Sequence, residues 1–252
     1  MKKFLKENWK FLLFVLLGGL IGGYFLGLYS YDSLSPEMLK QIEEQNGTRE
    51  LVVISTMIQY GIIFGVVLAG VGIIFSKKVN LWKDFKFSKK AIIVTVIITV
   101  IAALLLFPGD KLIFGPLNEW VNDSYNAKPT IAKMIGGFLV GGIIEEVMLR
   151  LFMMSLLTLL MKLIFCKNKK EIPVYIYVIA NIISTLLFAA GHIPSTMTMT
   201  TLTPVLIFRC FLLNGWIGLG FGYLYRKYGL GYAMISHGFT HLISDILMLI
   251  FI

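Results

Sequence analysis

Residues 136–154, GGFLVGGIIEEVMLRLFMM, set two adjacent carboxylates and a guanidinium in the middle of an apolar run that continues to Phe165. A charged side chain at the centre of a bilayer costs roughly 2.5–3.5 kcal/mol on insertion scales. Glu145, Glu146 and Arg150 in one span therefore need compensation from the rest of the fold. Glu146 and Arg150 are four residues apart, so they share a helix face and can pair. Glu145 is turned by about 100° from Glu146 and has no partner in its own helix. An unpaired carboxylate at that depth marks a functional site.

The rest of the chain is consistent with a membrane environment. Only 15% of the 252 residues are charged and 57% are hydrophobic, against about 25% charged in an ordinary soluble domain. The apolar residues fall in blocks near 9–29, 51–75, 91–107, 131–165, 172–191, 204–225 and 230–252, with about 20 needed to cross a bilayer. The expected fold is all-α: a polytopic transmembrane helical bundle of about seven spans with a polar intramembrane cavity. It forms a single membrane domain over 1–252, with spans one to three in 1–130 and a functional core in 131–252.

The net charge of +9 does not point to nucleic acid, because the basic residues sit in short loops beside apolar segments. Lys2, Lys3, Lys6 and Lys10 precede span one. Lys77, Lys78, Lys83, Lys86, Lys89 and Lys90 follow span two; Lys167, Lys169 and Lys170 follow span four; Arg226 and Lys227 follow span six. This is the positive-inside pattern, and it places a multi-pass protein in the cell membrane with its N-terminus in the cytoplasm. The first apolar block is too long for a signal peptide, has no small-residue cleavage site, and reads as a retained span. Cys166 and Cys210 lack metal-ligand spacing and read as free thiols.

Local signals refine the picture. Gly18, Gly19, Gly22, Gly23 and Gly27 give small-xxx-small spacings that permit close helix approach. Ser35-Pro36-Glu37 reads as the start of a short surface helix. Trp82, Phe85 and Phe87, between lysines, suggest a loop lying on the membrane surface. Pro108-Gly109 reads as the end of span three, followed by an external loop 110–129 that Trp120 and Tyr125 anchor. Span four, at 1.5 Å per residue, is roughly 50 Å long and must tilt, bend or protrude, with Gly136-Gly137 and Gly141-Gly142 as the expected bend.

The chain has three histidines, His192, His237 and His241, all in or at the end of apolar spans. His237, His241 and Asp245 recur every four residues and line one face of span seven. A carboxylate among imidazoles can act as a general base toward water. Neutral imidazoles can hold zinc, which lowers the pKa of its bound water, or can hydrogen-bond a developing oxyanion.

Taken in order, Glu145-Glu146-x-x-x-Arg150, Phe188-x-x-x-His192 and His237-x-x-x-His241 resemble the three motifs of the CPBP family of membrane-embedded proteases, which includes prenyl-protein (CAAX) endopeptidases of the Rce1 type and bacterial Abi proteins. The resemblance covers about 136–252. It implies a metalloendopeptidase with Glu145 and His192 activating water, Glu146 held by Arg150, and His237 and His241 stabilising the oxyanion or binding metal. The implied ion is Zn2+, on His192, His237 and His241. The implied partners are a peptide or membrane-protein substrate and the lipid bilayer, in settings such as peptide processing or bacteriocin immunity. This chain departs from the family at His241, where the third motif usually carries Asn or Asp. Two other classes remain open: a proton- or cation-coupled transporter, which also uses intramembrane Glu, His, Asp and Arg, and a catalytically silent immunity or binding protein. One tension is geometric. His192 falls at the outer end of span five, whereas His237 lies only about seven residues, roughly 10 Å, into span seven. A broken or re-entrant span seven, or a shifted span five, would reconcile them.

Overall fold

The computed structural model of the chain describes residues 2–167, 169 and 171–252. Lys170, expected in the basic loop after span four, lies outside the described residues. Seven helices are long and apolar enough to cross a membrane: α1 Lys2–Asp32, α2 Arg49–Lys78, α3 Lys89–Leu117, α4 Ile131–Phe165, α5 Val174–Met197, α6 Pro204–Tyr228 and α7 Leu230–Phe251. Among the described residues there are no strands. In hydrocarbon every backbone polar group needs an internal partner, which helices supply within each span. The chain is a multi-pass membrane protein.

Side chains facing away from the bundle are apolar, as lipid contact demands. Leu17 on α1, Ile97 on α3 and Trp216 on α6 are about half exposed or more. Inside, helices approach closely through glycine. A Cβ on Gly19 would stand 2.7 Å from the Cα of Gly61 on α2, and one on Gly22 would stand 2.9 Å from Leu139 on α4. Dispersion between close backbones takes the place of the hydrophobic effect that lipid removes. The small-residue face of α1 thus clamps α2 on one side and α4 on the other.

Several local expectations are met. Pro36–Glu44 is a helix capped by the Ser35 side chain on the Met38 amide. Cys166 and Cys210 are free and buried. Others need correction. Span three does not stop at Pro108: the backbone leaves helical geometry at Phe107 (φ −159°, ψ 125°) and helical turns resume at Asp110. The region 110–129 is not an open loop, for it holds the helices Asp110–Phe114 and Glu119–Ser124. Asp110 is buried there, bonded by Arg209 of α6 and by the Tyr125 hydroxyl. Trp82 turns inward to an edge-on contact with Phe11 of α1, 5.5 Å between centroids; Phe85 and Phe87 of that loop stay exposed.

In α4 the glycine pairs open a widened helix. Hydrogen bonding of the π type runs over Gly137–Glu145 and again over Val147–Met154. Such widened turns recur at functional sites. The two stretches meet at Glu146.

Candidate active site

The centre of the site is built on α4 and α7. Arg150 and Glu146 are fully buried and four residues apart, with Arg150 Nη1 3.4 Å from Glu146 Oε1. Arg150 Nη2 donates to the Gly218 carbonyl of α6 at 2.7 Å. The guanidinium lies between the rings of Phe188 and Phe221, at 5.4 and 5.7 Å. Cation–π contact of this kind supplies part of the solvation that burial removes.

Glu146 Oε1 also stands 2.8 Å from His237 Nδ1. Against a guanidinium the carboxylate is the acceptor, so His237 Nδ1–H donates and Nε2 carries the lone pair. His241 Nε2 is 3.3 Å from His237 Nε2, which makes His241 Nε2–H the donor. His237 is stacked on Phe221 at 4.5 Å on one side and on His241 at 5.1 Å on the other. Its ring is held in position, tautomer and plane by Glu146, His241 and Phe221.

Glu145 is different. Its Oε2 is buried without a hydrogen-bond partner and stands 3.6 Å from His237 Nε2. The side chain borders a cavity of about 470 Å³ together with Tyr60, His192, His241, Lys133 and Asp245. An unsatisfied carboxylate oxygen beside an imidazole lone pair is a place for a proton-bearing molecule such as water.

His192 sits at the turn between Val174–Gly191 and Ile193–Met197. Its Nδ1 is 2.9 Å from the Phe188 carbonyl, so that nitrogen donates and Nε2 is bare. The ring meets Phe188 edge-on at 4.6 Å, and the Phe188 ring meets His237 at 5.9 Å. α7 is one continuous helix over His237, so a re-entrant α7 is not needed, and α5 is helical up to Gly191 with His192 at the turn that follows. Phe188 bridges the two depths, and the cavity extends outward from Glu145 past His192.

The structure therefore brings Glu145, Glu146, Arg150, His237 and His241 into one contact chain. It places His192 on the wall of the same cavity without a hydrogen bond to Glu145. The imidazole nearest the Glu145 carboxylate is His237.

Zinc needs donors that converge. The 3.3 Å between the two Nε2 atoms matches the edge of a tetrahedron with Zn–N bonds of about 2.0–2.1 Å. Among the described residues, however, no group of three or more His, Cys, Asp or Glu is arranged to hold a metal ion. The three-histidine set is not assembled, because His192 is on the opposite side of Phe188.

Sequence reasoning missed three contributors. Gly218 offers its carbonyl to Arg150, Phe221 stacks on His237, and Gly141 leaves room for both histidines. A Cβ on Gly141 would lie 2.8 Å from His241 Nε2 and 3.3 Å from His237 Nε2. Only Gly141 had a signal, one helical turn before Glu145. Asp245, seen on the His237 face, is taken by Lys133 at 3.1 Å.

Comparison with curated proteins and with solved structures finds no match. A family model does match: residues 127–243 fit the type II CAAX prenyl endopeptidase Rce1-like family. The matched segment holds Glu145, Glu146, Arg150 and all three histidines, and over it the chain is similar to the Rce1-like type II CAAX prenyl endopeptidases.

Proposed function

We propose that the chain is a membrane-embedded endopeptidase in which Glu145 activates water for attack on a peptide carbonyl. The observation that carries this reading is the Glu145 carboxylate: its Oε2 is unpartnered, 3.6 Å from Nε2 of an immobilised His237, and its side chain borders the cavity. A water there gives one proton to Glu145 as its oxygen bonds to the carbonyl carbon. As the carbonyl oxygen becomes an oxyanion, His241 Nε2–H turns from His237 to meet it, the usual device for developing negative charge. The C–N bond then breaks, and the proton held by Glu145 passes to the leaving amine. Glu146 and Arg150 do not touch substrate; they fix His237.

Comparative mapping of new protein N-termini tests the reading in membranes from cells expressing the wild type, Glu145→Gln and His237→Ala. Termini present only with the wild type support it. Identical maps, with all three proteins equally abundant, overturn it. A transporter would instead give ion flux in liposomes that depends on Glu145, and a binding-only protein would keep its biological effect in Glu145→Gln.

Zinc on His237 and His241 is a separate proposal, supported by their nitrogen spacing alone, since among the described residues no third donor is arranged with them. A bound ion would polarise the carbonyl or its water. Metal content of the purified protein, wild type against His237→Ala, decides it: near one equivalent falling to none supports zinc, and none in either refutes it.

A further inference from the structure

The two ends of the bundle differ. At one end lie the N-terminal lysines of α1, the 79–88 connection, and the α6–α7 turn. They are tied together: Lys83 Nζ bonds the Lys227 carbonyl at 3.0 Å, Lys162 Nζ bonds the Lys78 carbonyl at 3.1 Å, and the Tyr177 hydroxyl bonds the Val79 carbonyl at 2.8 Å. Sixteen of the 23 Lys and Arg residues belong to this end in the sequence. Five belong to the other end, with Arg150 and Arg209 inside the bundle.

The cavity opens at the second end. Its wall beyond Glu145 is formed by Tyr29 and Ser30 in the last turns of α1, Lys133 in the first turn of α4, Ser195 in the last turn of α5 and Met199 just beyond it. Among the described residues, none in the lysine-rich loops borders it. Toward the basic end, Arg150, Val147, Leu151 and Tyr225 are all essentially unexposed. Basic loops stay in the cytoplasm. The mouth therefore faces away from it.

The lining also limits the occupant. Lys133 is paired with Asp245 and offers no free charge. Leu26, Val140, Met148 and Leu187 supply an apolar wall, suited to an uncharged, extended peptide.

We propose that this active site is entered from the non-cytoplasmic face, and that its substrate is an apolar segment of an exported or outward-facing polypeptide. The substrate half of this inference rests on the endopeptidase reading above; the sidedness half does not.

Cysteine labelling tests sidedness. Cys166 and Cys210 are buried, so the wild type serves as the blank for a membrane-impermeant maleimide. Ser30→Cys and Ser195→Cys report the mouth, and Lys86→Cys reports the basic end. In intact cells both mouth positions are expected to label at least tenfold more than Lys86→Cys, which labels fully only in broken membranes. The reverse pattern overturns the proposal; if Ser30→Cys fails to accumulate, Ser195→Cys on the exposed turn decides alone. Adding Glu145→Gln leaves the labelling pattern unchanged, so loss of the endopeptidase reading and loss of sidedness are told apart. N-termini that depend on Glu145 are then expected in outward-facing segments, and their location in cytoplasmic segments contradicts the substrate assignment.

Discussion

Glu146 Oε1 and His237 Nδ1 stand 2.8 Å apart across 91 positions of sequence, and that bond fixes which nitrogen of His237 faces Glu145. It joins a buried ion pair on α4 to a histidine on α7. The energetic anomaly of three charges in one apolar span resolves into a supporting pair and one free carboxylate.

The first prediction concerns that pair. Arg150→Met leaves Glu146 charged and buried with no cation, a loss of about 3–5 kcal/mol. The double variant Glu146→Leu, Arg150→Met removes the unpaired charge and leaves the His237 Nδ1–H without an acceptor, at about 1–3 kcal/mol, and the Gly218 carbonyl without its side-chain donor. Thermal unfolding in detergent is expected to rank the double variant above Arg150→Met. The opposite ranking would show that the pair is not the coupled unit its geometry describes.

Gly141 gives the second. An added methyl meets His241 at 2.8 Å, so Gly141→Ala pushes the ring out of its stack, with strain of about 1–3 kcal/mol. Proteolysis is expected to fall at least tenfold while the protein still accumulates in the membrane. Wild-type turnover in Gly141→Ala would mean that the His237–His241 stack is dispensable.

His241 gives the third. Its role here is to donate from Nε2, first to His237 and then to the oxyanion. His241→Ala is expected to cost about 10²–10³ in rate, as loss of one oxyanion donor does. His241→Asn restores an N–H donor and is expected to recover at least tenfold of that loss. Equal rates for the Ala and Asn variants would assign His241 to packing alone.

Lys133 and Asp245 give the fourth. Their 3.1 Å bridge at the cavity wall is partly buried. Asp245→Asn removes the partner of a half-covered ammonium, and a loss of about 1–2 kcal/mol, less than for Arg150→Met, is expected because Lys133 can reach water. Melting temperatures of the two variants, measured side by side, check the order.

Much of this arrangement was legible in residues taken singly. The seven spans follow from apolar block length, and the Glu146–Arg150 pair follows from its four-residue spacing. His237 and His241 on one face follow from theirs. What was not legible depends on three helices meeting. The sequence expectation paired Glu145 with His192, yet the nearest imidazole is His237, because spacing along one helix says nothing about how deep another sits. Phe221 and Gly218 look like ordinary span residues until α6 is packed against Arg150. The widened turns of α4 were expected as a bend, since glycine pairs mark a weak point without saying which hydrogen-bond pattern replaces the regular one. The face on which the cavity opens required knowing which helix ends line it.

The central claim is that the Glu145 carboxylate takes the proton from water. It is tested most directly by single-turnover cleavage of one mapped substrate by wild type, Glu145→Gln and Glu145→Asp in lipid nanodiscs. The account expects Glu145→Gln to lose about 10²–10⁴ in the chemical step, with substrate still binding, and Glu145→Asp to keep part of the rate. Cleavage by Glu145→Gln within twofold of wild type would contradict it.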